Sequence, residues 1–193
     1  MHDAYVAKPL VRRQIDQAFP VVQTIAPDLV VERWRAFAAV LIASGDLESP
    51  APLHAEQVEA GADTAAPPAH PRGIMTVQNS RGYIHGLFSY TVEEHLRHGR
   101  VLAVENFIVL DLFDQGGAAA ELLQAMDELA QSLDCAAIHT NLPDNYSSLP
   151  EYCNWVLTRF REAGHAIETL RLCKRRPAEP VPAALPPTAN DAE

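Results

Sequence analysis

Apolar positions along this chain switch repeatedly between the period of a helix and the period of a strand, and the switches divide it into elements. From Val11 the positions Val11, Ile15, Ala18, Phe19 and Val22 recur at helical spacing. Pro20 lacks an N–H and crowds the preceding turn, so it is expected to kink or split that helix. A second helix is expected from an N-cap at Asp28, with Val30, Trp34, Phe37, Ala38 and Leu41 on one stripe up to Ser44-Gly45. Both read as core-facing helices without chemistry. Ahead of them, Ala4 to Leu10 reads as a short strand that Pro9 closes.

The strand period takes over after residue 72. Gly73 to Gln78 and Tyr83 to Val92, joined by Asn79-Ser80-Arg81-Gly82, predict an antiparallel hairpin. A polar turn over Glu93 to Arg100 leads to a strand over Val101 to Leu110, where alternation puts Val101, Ala103, Glu105, Phe107 and Val109 on one face. After Gly117, Ala118, Leu122, Met126, Leu129 and Leu133 oppose Glu121, Gln124, Glu128 and Gln131 on an amphipathic helix of about four turns. Cys135 to Thr140 reads as a short buried strand and Asn141 to Leu149 as a loop. Ser148 and Glu151 form a capping box for a helix that carries Cys153, Val156, Leu157 and Phe160 inward and stops at Gly164. Ala166 to Cys173 is the last expected strand.

Composition locates the disorder. Of 193 residues, 48% are hydrophobic, which suits one globular domain over 1–176. Gly45 to Pro71 is rich in Ala, Pro and acids and reads as a mobile insertion, a lid being the rival reading. Pro177 to Glu193 reads as a disordered tail. These two segments hold eight of the 25 acids, which leaves 17 against 15 bases, so most of the net charge of -10 belongs to them and the fold itself is close to neutral. Without a basic stripe, nucleic acid is an unexpected partner. An amine-bearing substrate is compatible. Cys135, Cys153 and Cys173 lack CxxC spacing and suit reduced thiols. The run Phe37 to Ala43 is too short to cross a bilayer and the first residues carry no signal-peptide core, so no membrane partner and a cytoplasmic location are expected.

At the centre, FIVLDLFDQGGAAAELL joins a buried strand, a glycine pair and a helix start. Glycines let the main chain turn sharply and approach an anion, and the first helical turn presents N–H groups at the positive end of the dipole. Together with the hairpin GIMTVQNSRGYIHGLFSY and the helix end FREAGH, this text resembles the GNAT superfamily of acetyl-CoA-dependent N-acyltransferases over residues 3–176. The resemblance implies an α/β (α+β) fold with a mixed, mostly antiparallel sheet of six to seven strands and about four helices. It implies acetyl-CoA as the acyl donor, with no metal. Gly117 and Ala119 stand at the family's glycine and glycine-or-alanine positions. The N–H groups of Gln115, Gly116, Gly117, Ala118, Ala119 and Ala120 would hold the pyrophosphate, and Val109 and Leu110 the pantetheine amides and thioester carbonyl.

The chain departs from the family pattern at two points. Asp114 stands where the family has Arg or Gln, and a carboxylate about 5 Å from a phosphate charge costs about 3 kcal/mol at an effective dielectric of about 20. Phe160 stands where many members carry the Tyr that protonates the leaving thiolate, and Cys153 stands at the family's frequent Asn position. Tyr146 or Tyr152 could supply the missing proton, although Tyr152 reads first as an amphipathic surface or core residue. Glu105 is the candidate general base, its rival role being a strand-end acid paired with Arg97 or Arg100. His95 and His98 have metal-ligand spacing but lack a third ligand, and a solvated polar turn explains them. His85, His139 and His165 read as single core or surface histidines.

Two functions follow. One is direct transfer of an acetyl group from acetyl-CoA to a small-molecule or protein amine. The other is a GNAT-like module that binds acyl-CoA or a partner without turnover, which Asp114 and Phe160 would favour. The oligomeric state stays open, with a homodimer among the options.

Overall fold

The computed structural model describes residues 4–43, 71–110, 115–143, 146 and 154–168. The expected insertion up to residue 70, the tail at 177–193, Asp114, Ser148, Glu151, Tyr152 and Cys153 lie outside the described residues. So does the expected last strand beyond residue 168, while residues 166–168 take no strand conformation.

In chain order the elements are β1 (Val6–Pro9), a 3-10 turn (Arg12–Gln14), α1 (Ile15–Gln23), α2 (Val31–Ile42), β2 (Arg72–Gln78), β3 (Ile84–His95), β4 (Gly99–Val109), α3 (Gln115–Ser132), β5 (Ala137–Asn141) and α4 (Trp155–Glu162). The strands form one sheet in the order β1-β2-β3-β4-β5. The first three pairings are antiparallel and β4–β5 is parallel. The sheet is therefore mixed and mostly antiparallel as expected, with five strands among the described residues rather than six or seven. The parallel pair needs a crossover, and α3 supplies it. Among the described residues no helix is long and apolar enough to cross a membrane.

Each face of the sheet has its own core. Val77, Phe88, Val92, Leu102, Val104 and Phe107 pack with residues of α3 and α4. On the other face Leu10, Ile74, Leu87 and Ile108 pack with Trp34 and Ala38 of α2 and with α1. Gly86 in β3 is fixed by closeness, because a Cβ there would stand 2.6 Å from the Ile108 carbonyl oxygen and 3.0 Å from Leu122 Cδ1.

Several boundaries differ from expectation for local physical reasons. α1 runs unbroken through Pro20. Asp16, whose carbonyl Pro20 cannot bond, is exposed, so water can take that bond. The helix is also tied to α2, where Trp34 Nε1 donates to the Ile15 carbonyl at 2.7 Å. α2 begins after Val30 rather than Asp28, since Leu29 N–H first closes a turn on the Ala26 carbonyl. The turn expected over Glu93 to Arg100 shrinks to Leu96–His98, because Glu93, Glu94 and His95 pair with Val101, Arg100 and Gly99. β5 is half-buried rather than buried and starts two residues later than expected.

α3 starts at Gln115, so Gly116 and Gly117 sit inside its first turn. Glu121 is not on a purely solvated face; its carboxylate accepts the Ala7 N–H of edge strand β1 at 3.1 Å. α4 takes Asn154 as N-cap, its Oδ1 accepting the Leu157 N–H. It ends as expected at Gly164, where φ is +90°. The His165 N–H reaches the Phe160 carbonyl, the Gly164 N–H reaches that of Arg161, and the Phe160 and His165 rings touch, which together make a Schellman stop.

Candidate active site

β4 contains one residue more than its partner. Ser89 pairs with Glu105 but Leu87 pairs with Ile108, so the extra residue lies between them, and Asn106 takes a φ of +56°. Asn is among the few side chains that accept this left-handed conformation readily. The bulge is locked by Ser89, whose Oγ donates to the Glu105 carbonyl at 3.1 Å and accepts from Asn106 Nδ2 at 2.8 Å. A β-bulge bends its strand and breaks the alternation of faces. The expected single row from Val101 to Val109 is therefore wrong. Phe107 and Val109 join the core under α3, whereas Ala103 and Glu105 face α2.

Beyond Glu105 β4 runs on without β5, because β5 ends at Asn141. Their pairing ends at Glu105 with Asn141, and the last four residues of β4 continue without a β5 partner. In the opening, the Val109 N–H donates to the Tyr146 hydroxyl at 3.4 Å. The Leu110 N–H points the other way and donates to the His85 carbonyl of β3 at 2.7 Å. Of the two amides expected to meet pantetheine, only that of Val109 faces the opening. Tyr146 is buried, and burial pushes its phenol pKa up, against the opposing effect of the Val109 N–H. Its proton is not used by the Val109 contact, in which the oxygen accepts. Asn154 holds this tyrosine in place, since its Nδ2 donates to the Tyr146 carbonyl while its Oδ1 caps α4.

On the α2 side of the sheet a pocket of about 140 Å³ is lined by Phe37, Leu41, Ser89, Thr91, Glu93 and Glu105, among others. Asn141 Nδ2 donates to Glu105 Oε1 at 3.4 Å. The pocket and the strand opening thus lie on either side of the bulge, with Glu105 on the pocket side and Tyr146 on the other. Phe37 and Leu41, expected on the core-facing stripe of α2, line this pocket instead, and Phe37 is 42% exposed.

α3 aims its first turn from the far end of β4. By helical geometry the N–H groups of Ala119 and Ala120 belong to the internal ladder, which removes these two from the set expected to hold a pyrophosphate. Ala118 and Ala119 are buried against the sheet. Phe160 packs edge-on to Phe107, with ring centroids 4.8 Å apart, and carries no proton into the opening. Asn154 was missed from sequence because Cys153, its neighbour, held the corresponding position.

A second polar cluster occupies the opposite end of β4. His139 of β5 lies against His95 and His98, with His98 Nδ1 and His139 Nε2 2.8 Å apart. The sequence reading of these as unrelated histidines is corrected here, because parallel pairing with β4 carries His139 beside the β3–β4 turn. Burial, with the nearby His95 and His98, pushes the His139 pKa down.

No protein-family model matches the sequence, and no curated protein matches it. Solved structures do. An aminoglycoside N-acetyltransferase, AAC(6')-Iy, in complex with CoA superposes with a TM-score of 0.61 at 13% identity, covering 92% of this chain and 97% of that one. Glucosamine-6-phosphate N-acetyltransferase from Arabidopsis thaliana gives 0.57 at 11% identity over 89% and 97%. Ribosomal-protein-alanine N-acetyltransferase from Brucella melitensis gives 0.58 at 12% over 90% and 100%. The chain has the fold of the GNAT acetyltransferases, at low sequence identity to them.

Proposed function

We propose that this chain is an N-acyltransferase that moves an acetyl group from acetyl-CoA directly to an amine. The observation that carries the reading is the end of β4 beyond Glu105, which has no β5 partner, with a carboxylate on one side of the bulge and a buried phenol on the other. Acetyl-CoA, as co-substrate, supplies the activated acyl group and a thiolate leaving group. The open edge of β4 suits its pantetheine arm, and the first turn of α3, from Gln115 to Ala118, suits its pyrophosphate.

Each residue then has a stated task. Glu93 and Glu105 draw a cationic amine into the pocket, and Glu105 takes a proton from the ammonium directly or through water. The Val109 N–H exchanges its long contact with Tyr146 for the thioester carbonyl oxygen and stabilises the charge that develops there. Tyr146 gives its hydroxyl proton to the departing thiolate, the role that Phe160 cannot fill. The pocket is of a size for a single amine-bearing group, so the acceptor is a small amine or an amine displayed on a protein.

Calorimetric titration with acetyl-CoA tests the reading, followed by measurement of free thiol released with a panel of amines. Saturable binding and amine-dependent thiol release are expected; no binding at millimolar acetyl-CoA would end it. Phe160 favours one rival, an acyl-CoA-binding module without turnover. Tight binding with no thiol release from any amine would select that rival.

A further inference from the structure

The histidines at the closed end of β4 support an inference independent of acyl transfer. We propose that His95, His98 and His139 form a binding site for a divalent transition-metal ion such as Zn²⁺. The two members on the β3–β4 turn and the one on β5 are 41 residues apart at their closest pair, yet three ligand nitrogens, one from each ring, lie within 4.8 Å of one another. All three residues are half-buried. An all-imidazole set selects Zn²⁺, Co²⁺, Ni²⁺ or Cu²⁺ over Mg²⁺ and Ca²⁺, which prefer oxygen. Three protein ligands also leave one position of a tetrahedral ion open to water or a small anion.

The local hydrogen bonding shows what the ion would replace. His98 Nδ1 and His139 Nε2 now share one proton across 2.8 Å. In the metal-bound state both nitrogens turn lone pairs to the ion and stand about 3.3 Å apart, as ligands about 2.0–2.1 Å from a tetrahedral zinc do. His98 Nε2, the ring nitrogen left outside the ion, faces Glu168 Oε2 at 3.7 Å. A carboxylate behind a ligating imidazole is the usual outer partner that fixes its tautomer. His95 Nδ1 accepts the N–H groups of Arg97 and His98 at 3.3 Å each, beyond the usual length of such bonds, so they hold its ring only weakly.

The site borders the pocket without entering it. His139 is the register partner of Ala103, and Ala103 lines the pocket. A bound ion would tie the β3–β4 turn to β5 across β4, holding these strands together where the sheet is closed.

Titration of the full chain with Co²⁺, followed by visible absorption, tests the site. One equivalent is expected to bind with the bands of a four-coordinate nitrogen site and without a thiolate charge-transfer band, and excess Zn²⁺ should displace it. His139→Ala and His95→Ala are each expected to weaken binding at least about 100-fold, and Glu168→Gln about 10-fold. Circular dichroism identifies the folded variants; His95→Ala, in a surface turn, serves if His139→Ala fails to fold. No saturable absorption up to millimolar Co²⁺, or unchanged affinity in a folded histidine variant, would overturn the proposal.

Discussion

The two ends of β4 are built from the same strand and behave in opposite ways. At its start, Val101 to Glu105 pairs with strands on both sides, and the β3 side is closed by a three-residue turn. At its end, after Asn106, it keeps its β3 partner and loses β5. A paired end satisfies its backbone groups internally and stiffens the sheet. An open end leaves amide groups for something else, and here a tyrosine hydroxyl is the partner of Val109. The difference teaches that a strand outlasting its neighbour is stiff at one end and keeps backbone groups for other partners at the other, with the Asn106 bulge at the boundary.

The comparison is broken most severely at Glu105. Glu105→Gln should lower kcat/KM for the amine by about 10²–10⁴-fold with little change in acetyl-CoA affinity, read from thiol release and calorimetry. Tyr146→Phe comes next, with a loss of about 10²-fold that is smallest for acyl donors with better leaving groups. Gly86→Ala puts a methyl group against the Ile108 carbonyl at the open end, and should lower stability by about 1–3 kcal/mol in denaturant melts. The closed end should answer differently. Arg100 Nε donates to the Leu133 carbonyl at 2.9 Å, so Arg100→Ala should cost about 1–2 kcal/mol of stability while leaving turnover per folded molecule unchanged.

The smallest effect is a slope. Burial holds the His165 pKa below its ordinary value near 6.5, against the raising effect of Asp127. Below about pH 6.5 the unfolded chain takes up the proton more readily than the folded one. Stability should therefore fall as pH drops from there through the folded value and be fully retained above it. His165→Gln should flatten that part of the curve relative to the parent protein, measured by melts between about pH 5 and pH 7.5.

Much of the architecture could be read from residue periods alone. The β2–β3 hairpin, α3 and the Gly164 stop depend on local signals: turn residues at Asn79 and Gly82, a continuous apolar stripe from Ala118 to Met126, and a glycine after a short helix. The site was harder to read because its parts are joined by pairing, not by sequence. Strand alternation counted straight through Asn106 put Glu105 on the wrong face. A polar residue with tolerance for positive φ, set among Phe107, Ile108 and Val109, was the available warning. His139 became a partner of His95 and His98 only through the β4–β5 register, which no local pattern encodes. Pro20 and Asp28 failed as boundary signals because exposure of Asp16 and a preceding turn outweighed them.

The bulge has one more consequence, visible as arithmetic on the strand. Remove Asn106 and Phe107 would oppose Phe88, Ile108 would still oppose Leu87, and Val109 would still oppose Gly86. Glu105 would keep facing α2 and Phe107 would keep facing α3. The extra residue is therefore not what sorts the side chains; it is a spacer. A chain one residue shorter would hold the same two cores and the same acid, without the left-handed residue and the Ser89 contacts that the bulge brings.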